Sequence, residues 1–191
     1  VYLAGAGAGT IGLCDPDTVS LSNLQRQVLY SEAEIGQPKT ACAAARLSAL
    51  NSSIALRLHP EGITADNAGS LVAGYDLVLD CTDNYATRYL IDDACAQAGI
   101  PWVHGALGEF CGMVTVFNGR SGVRYADLYP EREELCSAPR PTLGVLGAVP
   151  GVIGAIQASE AIKLIAGFGE PLDGKLLTID MNNLKTEIIE I

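Results

Sequence analysis

Short apolar runs that end on acidic residues recur along this chain, separated by alanine-rich or capped stretches. Thr10 to Leu13 form such a run, leading to Asp15, Pro16 and Asp17, and read as a strand that delivers carboxylates to its C-terminal edge. Gln37, Pro38 and Lys39 open an alanine-rich helix that reaches Leu50 and stops at Asn51. Ile54, Leu56 and Leu58 alternate as a strand does. Asp76 to Cys81 holds Leu77, Val78 and Leu79 before Asp80, the pattern of a central strand in a parallel sheet. Asn84 caps a helix running to Gln97 and closed by Gly99 and Pro101. Strands follow at Trp102 to Ala106 and Met113 to Asn118, and then charges, prolines and tyrosines between Gly119 and Pro141 predict a long loop. A helix from Gly151 to Ala166 and a hairpin of Lys175 to Asp180 and Lys185 to Ile191 around Asn182 and Asn183 complete the pattern. The alternation predicts a doubly wound α/β sheet, with ligand at the carboxyl ends of its strands.

Composition narrows the classes. With 191 residues the chain suits one core, so a single domain is expected. A net charge of -10 with only 12 Lys and Arg argues against nucleic acid as a partner. The 6 cysteines show no C-x-x-C spacing and read as reduced thiols of a cytoplasmic protein. No leader pattern opens the chain. The uncharged run from Pro141 to Ser159 contains Pro150 and several glycines and meets Glu160 and Lys163, so it reads as a buried helix and not as a membrane span.

Chemistry concentrates in three segments. The glycines Gly5, Gly7 and Gly9 imitate a nucleotide fingerprint, but they follow a helix-like Val1 to Ala4 and precede a strand, which is a helix-to-strand turn. Asp15 to Gln27 places a carboxylate at a strand end and then Asn23, Arg26 and Gln27. A carboxylate can accept from ribose hydroxyls, and a guanidinium offers planar paired donors to a triphosphate. Lys39 adds a cation at the start of the next helix, where free N–H groups favour an anion. In Asp80 to Asn84, Asp83 is placed to hold a hard cation such as Mg²⁺ and ranks before Asp80. Asp17 reads as solvating a turn, and His59, His104 and Trp102 read as structural.

These stretches, with Gly36 to Lys39, Arg88 and Gly147 to Gly167, resemble the ATP site of the ThiF/MoeB/HesA adenylyltransferases, relatives of ubiquitin-activating enzymes. The resemblance covers nearly the whole chain and implies a Rossmann-like, mostly parallel sheet with antiparallel C-terminal strands. It implies that residues 1–191 are one ATP-binding adenylation domain with 119–141 as an active-site crossover loop. Asp15 would contact the ribose, Asn23, Arg26 and Lys39 the phosphates, and Asp83 the magnesium, with Gln27 a further nucleotide-binding residue. The implied reaction is adenylylation of the C-terminal Gly-Gly carboxylate of a small ubiquitin-like sulfur carrier, for sulfur transfer in thiamine, molybdopterin or related cofactor biosynthesis. A sulfur donor protein and a homodimer are implied partners, and no membrane.

The chain departs from the family in three places. The family's first strand and Gly-x-Gly-x-x-Gly loop are missing before Val1, which leaves truncation and genuine loss open. Where many members carry a first zinc-binding Cys pair, this chain reads Arg124-Tyr125-Ala126-Asp127, so no zinc is expected, and an Arg124–Asp127 salt bridge could tie the region. Cys136 matches the family cysteine implicated in a thioester or acyl disulfide, with Arg140 as the nearby cation, while the other five cysteines read as core residues. The catalytic set is then Arg26, Lys39, Asp83 and Cys136. A nicotinamide-dependent oxidoreductase and a non-catalytic partner-binding relative are the alternatives.

Overall fold

The computed structural model describes residues 1–139 and 144–191, which form two compact units, Val1–Ile63 and Thr64–Ile191. In the first, helix α1 (Tyr2–Gly5) turns through Gly7, whose φ is +82°, into strand β1 (Thr10–Cys14). The helix-to-strand turn expected of the glycine cluster is therefore what forms. Two single 3-10 turns, Leu21–Asn23 and Glu32–Glu34, precede helix α2 (Lys39–Leu50), and strand β2 (Ala55–His59) follows. β1 and β2 pair in parallel, Thr10 opposite Ala55 and Cys14 opposite His59. Thr40, Ala43 and Leu47 share one face of α2 and are buried, which is the spacing that lets a helix cover a sheet. Asn51 ends the helix, and its Nδ2 donates to the Ala4 carbonyl at 2.8 Å, tying α2 to α1.

The second unit holds helix α3 (Ala68–Val72), strand β3 (Val78–Asp80), helix α4 (Tyr85–Ala98), and strands β4 (Trp102–Gly108) and β5 (Cys111–Phe117). Helices α5 (Tyr125–Leu128), α6 (Arg132–Ser137) and α7 (Ala148–Ala166) come next, then strands β6 (Lys175–Asp180) and β7 (Lys185–Glu190). The sheet order is β3-β4-β5-β6-β7. β3 pairs with β4 in parallel, and the remaining neighbours are antiparallel. Antiparallel pairing thus begins at β4–β5, earlier than the C-terminal hairpin, and the five-stranded sheet is mixed. Within this unit β3 stands at the end of the order, not at its centre.

Helix α4 starts where its cap predicts: Asn84 Oδ1 accepts the Thr87 N–H at 2.9 Å, and Gly99 ends the helix with φ +67°. The core gathers Tyr89, Trp102, Val103, Val114, Val116, Phe117, Tyr125, Val149 and Ile153, all at most 2% exposed. α7 is long and apolar enough to cross a membrane by length and composition, yet Val149, Ile153, Gln157 and Ala161 lie buried along one face. That face packs on β4 and β5, where glycines admit it closely. The buried-helix expectation therefore holds for one face, and Ile165, for example, is 60% exposed.

The expected loop at 119–141 contains α5 and α6. Such short helices carry too few residues to show a periodic pattern. Arg124 does not bridge to Asp127 through its side chain: its guanidinium pairs with Asp92 at 2.8 Å and Asp93 at 3.0 Å. Asp127 instead accepts the Arg124 backbone N–H at 2.8 Å.

Candidate functional site

In the first unit the acidic edge of β1 is zipped to the start of α2. Val19 N–H donates to the Gln37 carbonyl at 2.9 Å, Gly36 N–H to the Val19 carbonyl at 2.8 Å, and Lys39 N–H to the Asp17 carbonyl at 3.0 Å. These bonds bring Lys39, 5% exposed, against both carboxylates of the strand end. Its Nζ lies 2.9 Å from Asp17 Oδ2 and 3.4 Å from Asp15 Oδ2, while Asp15 Oδ1 accepts the Asp17 N–H at 2.9 Å. Asp17 does more than solvate a turn, because it is the nearer counterion of Lys39. Burial, and then the Asp15 charge, push the nearby Tyr30 hydroxyl up to about 12.

The segment after Asp17 carries Asn23 at the end of the 3-10 turn Leu21–Asn23 and Arg26 just beyond it. The Asn23 carbonyl accepts the N–H groups of Arg26 at 3.0 Å and Gln27 at 2.8 Å, which fixes the backbone of both residues. Arg26 Nη1 donates to the Ser22 carbonyl at 3.2 Å. Gln27 Oε1 is buried with no hydrogen-bond partner among the described residues. An orphan acceptor of this kind suits a ribose hydroxyl or an adenine amine, both donors.

In the second unit β3 ends on Asp80, whose side chain is wholly buried. Its Oδ1 accepts the Thr82 N–H at 2.8 Å and the Thr82 hydroxyl at 2.6 Å, and its Oδ2 meets His104 Nδ1 at 2.8 Å and lies 3.5 Å from Arg88 Nε. Burial is the largest influence on this carboxyl and would raise it, but the His104 hydrogen bond, the His104 and Arg88 charges and Thr82 together hold it below the usual carboxylate value. Burial pushes the His104 imidazole down, so the ring is neutral near pH 7 and donates to the carboxylate. Asp80 is thus a buried anion already held by His104, Arg88 and Thr82. Asp83 itself is exposed, and no described residue pairs with it. One unpartnered carboxylate fits a magnesium ion, which takes one or two carboxylates and fills its remaining positions with water and phosphate oxygens.

Cys136 is exposed on α6. Arg132 holds that helix to α4, with Nη1 on Asp93 at 2.7 Å and the guanidinium 5.0 Å from the Tyr89 ring centre. Arg140, the expected cation beside Cys136, lies outside the described residues. Of the five cysteines expected in the core, Cys42 and Cys95 are buried, while Cys14, Cys81 and Cys111 are exposed. A strand end faces solvent even when its centre does not, and the three lie at or just beyond strand ends.

The Asp80–His104–Arg88 cluster leaves no mark on the local sequence pattern. His104 has no partner nearby in the chain, and only the pairing of β3 with β4 sets it opposite Asp80.

A model of the ThiF family matches residues 1–191. The chain is 41% identical over 185 residues to the sulfur carrier protein adenylyltransferase of Thermus thermophilus, covering 94% of this chain and 68% of that protein. It is 42% identical over 189 residues to the SAMP-activating enzyme E1 of Haloferax volcanii, covering 98% and 70%. Against the mouse adenylyltransferase and sulfurtransferase MOCS3 it is 44% identical over 185 residues but spans only 39% of that protein. Among solved structures, E. coli MccB superposes with a TM-score of 0.83 at 23% identity, over 98% of this chain and 57% of the other, a likeness of fold. Because the family model matches its whole length and the Thermus and Haloferax relatives are 41% and 42% identical to it, the chain belongs to the ThiF family.

Proposed function

We propose that this chain is the ATP-binding adenylation part of an enzyme that activates the C-terminal Gly-Gly carboxylate of a ubiquitin-like sulfur carrier, for sulfur transfer in thiamine, molybdopterin or related cofactor biosynthesis. The observation that carries this reading is Asp83, an exposed carboxylate just beyond β3 with no partner among the described residues, in a chain 41% identical to a sulfur carrier protein adenylyltransferase. A carrier carboxylate oxygen attacks the α-phosphorus of ATP, the bond from that phosphorus to the bridging oxygen breaks, and pyrophosphate leaves. Both reactants are anions, so the work of the protein is orientation and charge neutralisation. Magnesium, when bound, offsets phosphate charge. Asp83 would hold it.

Asn23, Arg26 and Lys39 take the phosphates, Asp15 the ribose, and Gln27 another polar atom of the nucleotide. Lys39 reaches a phosphate by sharing or releasing Asp17, which holds it at 2.9 Å. Cys136 then attacks the acyl adenylate through its thiolate, AMP leaves, and a thioester remains for sulfur transfer. Six free thiols suit a reducing cytoplasm. The small residues Gly151, Gly154 and Ser159 on the exposed side of α7 suit a homodimer contact. Residues 124–127 hold no cysteine, and we expect no structural zinc there.

ATP–pyrophosphate exchange with full-length protein and candidate Gly-Gly carriers tests the reading. Asp83→Ala is expected to lose at least about 100-fold in exchange, of the order seen when one transition-state charge partner is removed. Cys136→Ser is expected to keep exchange and lose thioester formation. Exchange at the wild-type rate in Asp83→Ala removes the assignment, and no exchange with any Gly-Gly carrier favours a non-catalytic relative.

A further inference from the structure

The turn that carries Asp83 is pinned on both sides. Before it, Thr82 gives its N–H and its hydroxyl to Asp80, and its carbonyl accepts Arg88 Nη2 at 2.8 Å. After it, Asn84 is held as the cap of α4. The group behind the first pin is a carboxylate with no solvent exposure, braced by His104 from the neighbouring strand and by Arg88, itself 12% exposed. The rings of Tyr125, Trp102 and Phe117 stand 5.3, 5.6 and 5.7 Å from the His104 ring and pack around it.

Burying a carboxylate and a guanidinium costs more desolvation than their attraction returns unless further hydrogen bonds complete them, and apolar side chains of the same size fill such a space with no penalty. Packing alone gives no reason for these charges. Position does, because each of the three groups ends on the residue before Asp83 or on the carboxylate that holds it.

We infer that Asp80, His104 and Arg88 are positioning residues that fix the Cys81–Asp83 turn and so set where the Asp83 carboxylate stands for a divalent cation. The inference rests on the reading of Asp83 given above.

Calorimetric titration of the full-length protein with ATP, once with excess Mg²⁺ and once with EDTA, gives the factor by which the metal raises nucleotide affinity. His104→Leu keeps an apolar volume and removes the donor, and His104→Asn restores an N–H near the place of Nδ1. The factor is expected to fall at least fivefold in His104→Leu and to return within twofold of wild type in His104→Asn, with affinity in EDTA unchanged in both. A residue that only supports the fold lowers the melting temperature and the binding stoichiometry and leaves that factor alone.

Asp83→Asn is titrated beside them. If it abolishes the metal effect while a folded His104→Leu keeps it, the positioning role is overturned and the Asp83 reading stands. If Asp83→Asn keeps the metal effect, both are overturned. Should His104→Leu not fold, Arg88→Lys, which keeps charge but loses the planar donors, replaces it with the same expected loss, and an unchanged factor there overturns the role equally.

Discussion

His104 is 1% exposed and faces Asp80, Arg88 and Tyr125, so its protonation is coupled to folding. Burial lowers its native pKa below the ordinary 6.5, against the opposing pull of Asp80. The sign follows from proton counting. Below about 6.5 the unfolded chain binds a proton that the native state refuses, so this part of the stability is intact above that pH and is lost as pH falls toward the native value. Asp80 acts in the same direction in a more acidic window, since its native pKa lies below 3.8. Chemical denaturation between pH 7 and pH 5 should show unfolding free energy falling by up to about 1.4 kcal/mol per pH unit from this one group. His104→Asn should flatten that slope, and an unchanged slope in the variant would assign the dependence to other groups.

Among the elements, α7 and the sheet meet with almost no spare room. A Cβ built on Gly105 of β4 runs into the Gln157 carboxamide, which cannot retreat because its Nε2 donates to the Asp80 carbonyl at 2.7 Å and the Val103 carbonyl at 3.3 Å. On Gly112 of β5 the Cβ meets the far end of Ile153, which can turn aside. Gly105→Ala should therefore destabilise by about 1–3 kcal/mol and Gly112→Ala by less, measured as urea midpoints at constant m-value. Equal costs would mean that Gln157 is freer than its hydrogen bonds imply. The capped elements were legible in advance: Asn84 and Gly99 bound α4, and the Asn182-Asn183 pair sits between β6 and β7. α5 and α6 were not legible. What holds them is Arg124 on Asp92 and Asp93 and Arg132 on Asp93, partners that lie 31 to 39 residues away along the chain.

For the molecule as a whole, ligand binding and stability are one quantity measured in two ways. If MgATP binds the native state alone, saturation at 100 times its dissociation constant adds about 2.7 kcal/mol. In a chain of 191 residues that corresponds to roughly 5 to 10 °C in melting temperature. Arg26→Ala and Asp83→Asn should each show a smaller shift at the same nucleotide concentration, followed by differential scanning fluorimetry. NADH should produce none, and a shift with NADH in place of ATP would turn the reading toward an oxidoreductase. The positions of Asp15 and Lys39 were readable from the sequence because they flank the end of β1 and the start of α2, two locally recognisable elements. The state of Lys39 was not, because its nearest counterion, Asp17, is 22 residues away.

The order of strands and helices, their caps and the edges that bear charge follow from the amino-acid sequence alone, since propensity, capping and apolar alternation act within a few residues. The pairing of buried groups was decided only in three dimensions. Asp80 and His104 stand 24 residues apart and meet because β3 and β4 pair in register. Which charges are neutralised, and that Asp83 has no partner among the described residues, depends on distances that no local pattern records.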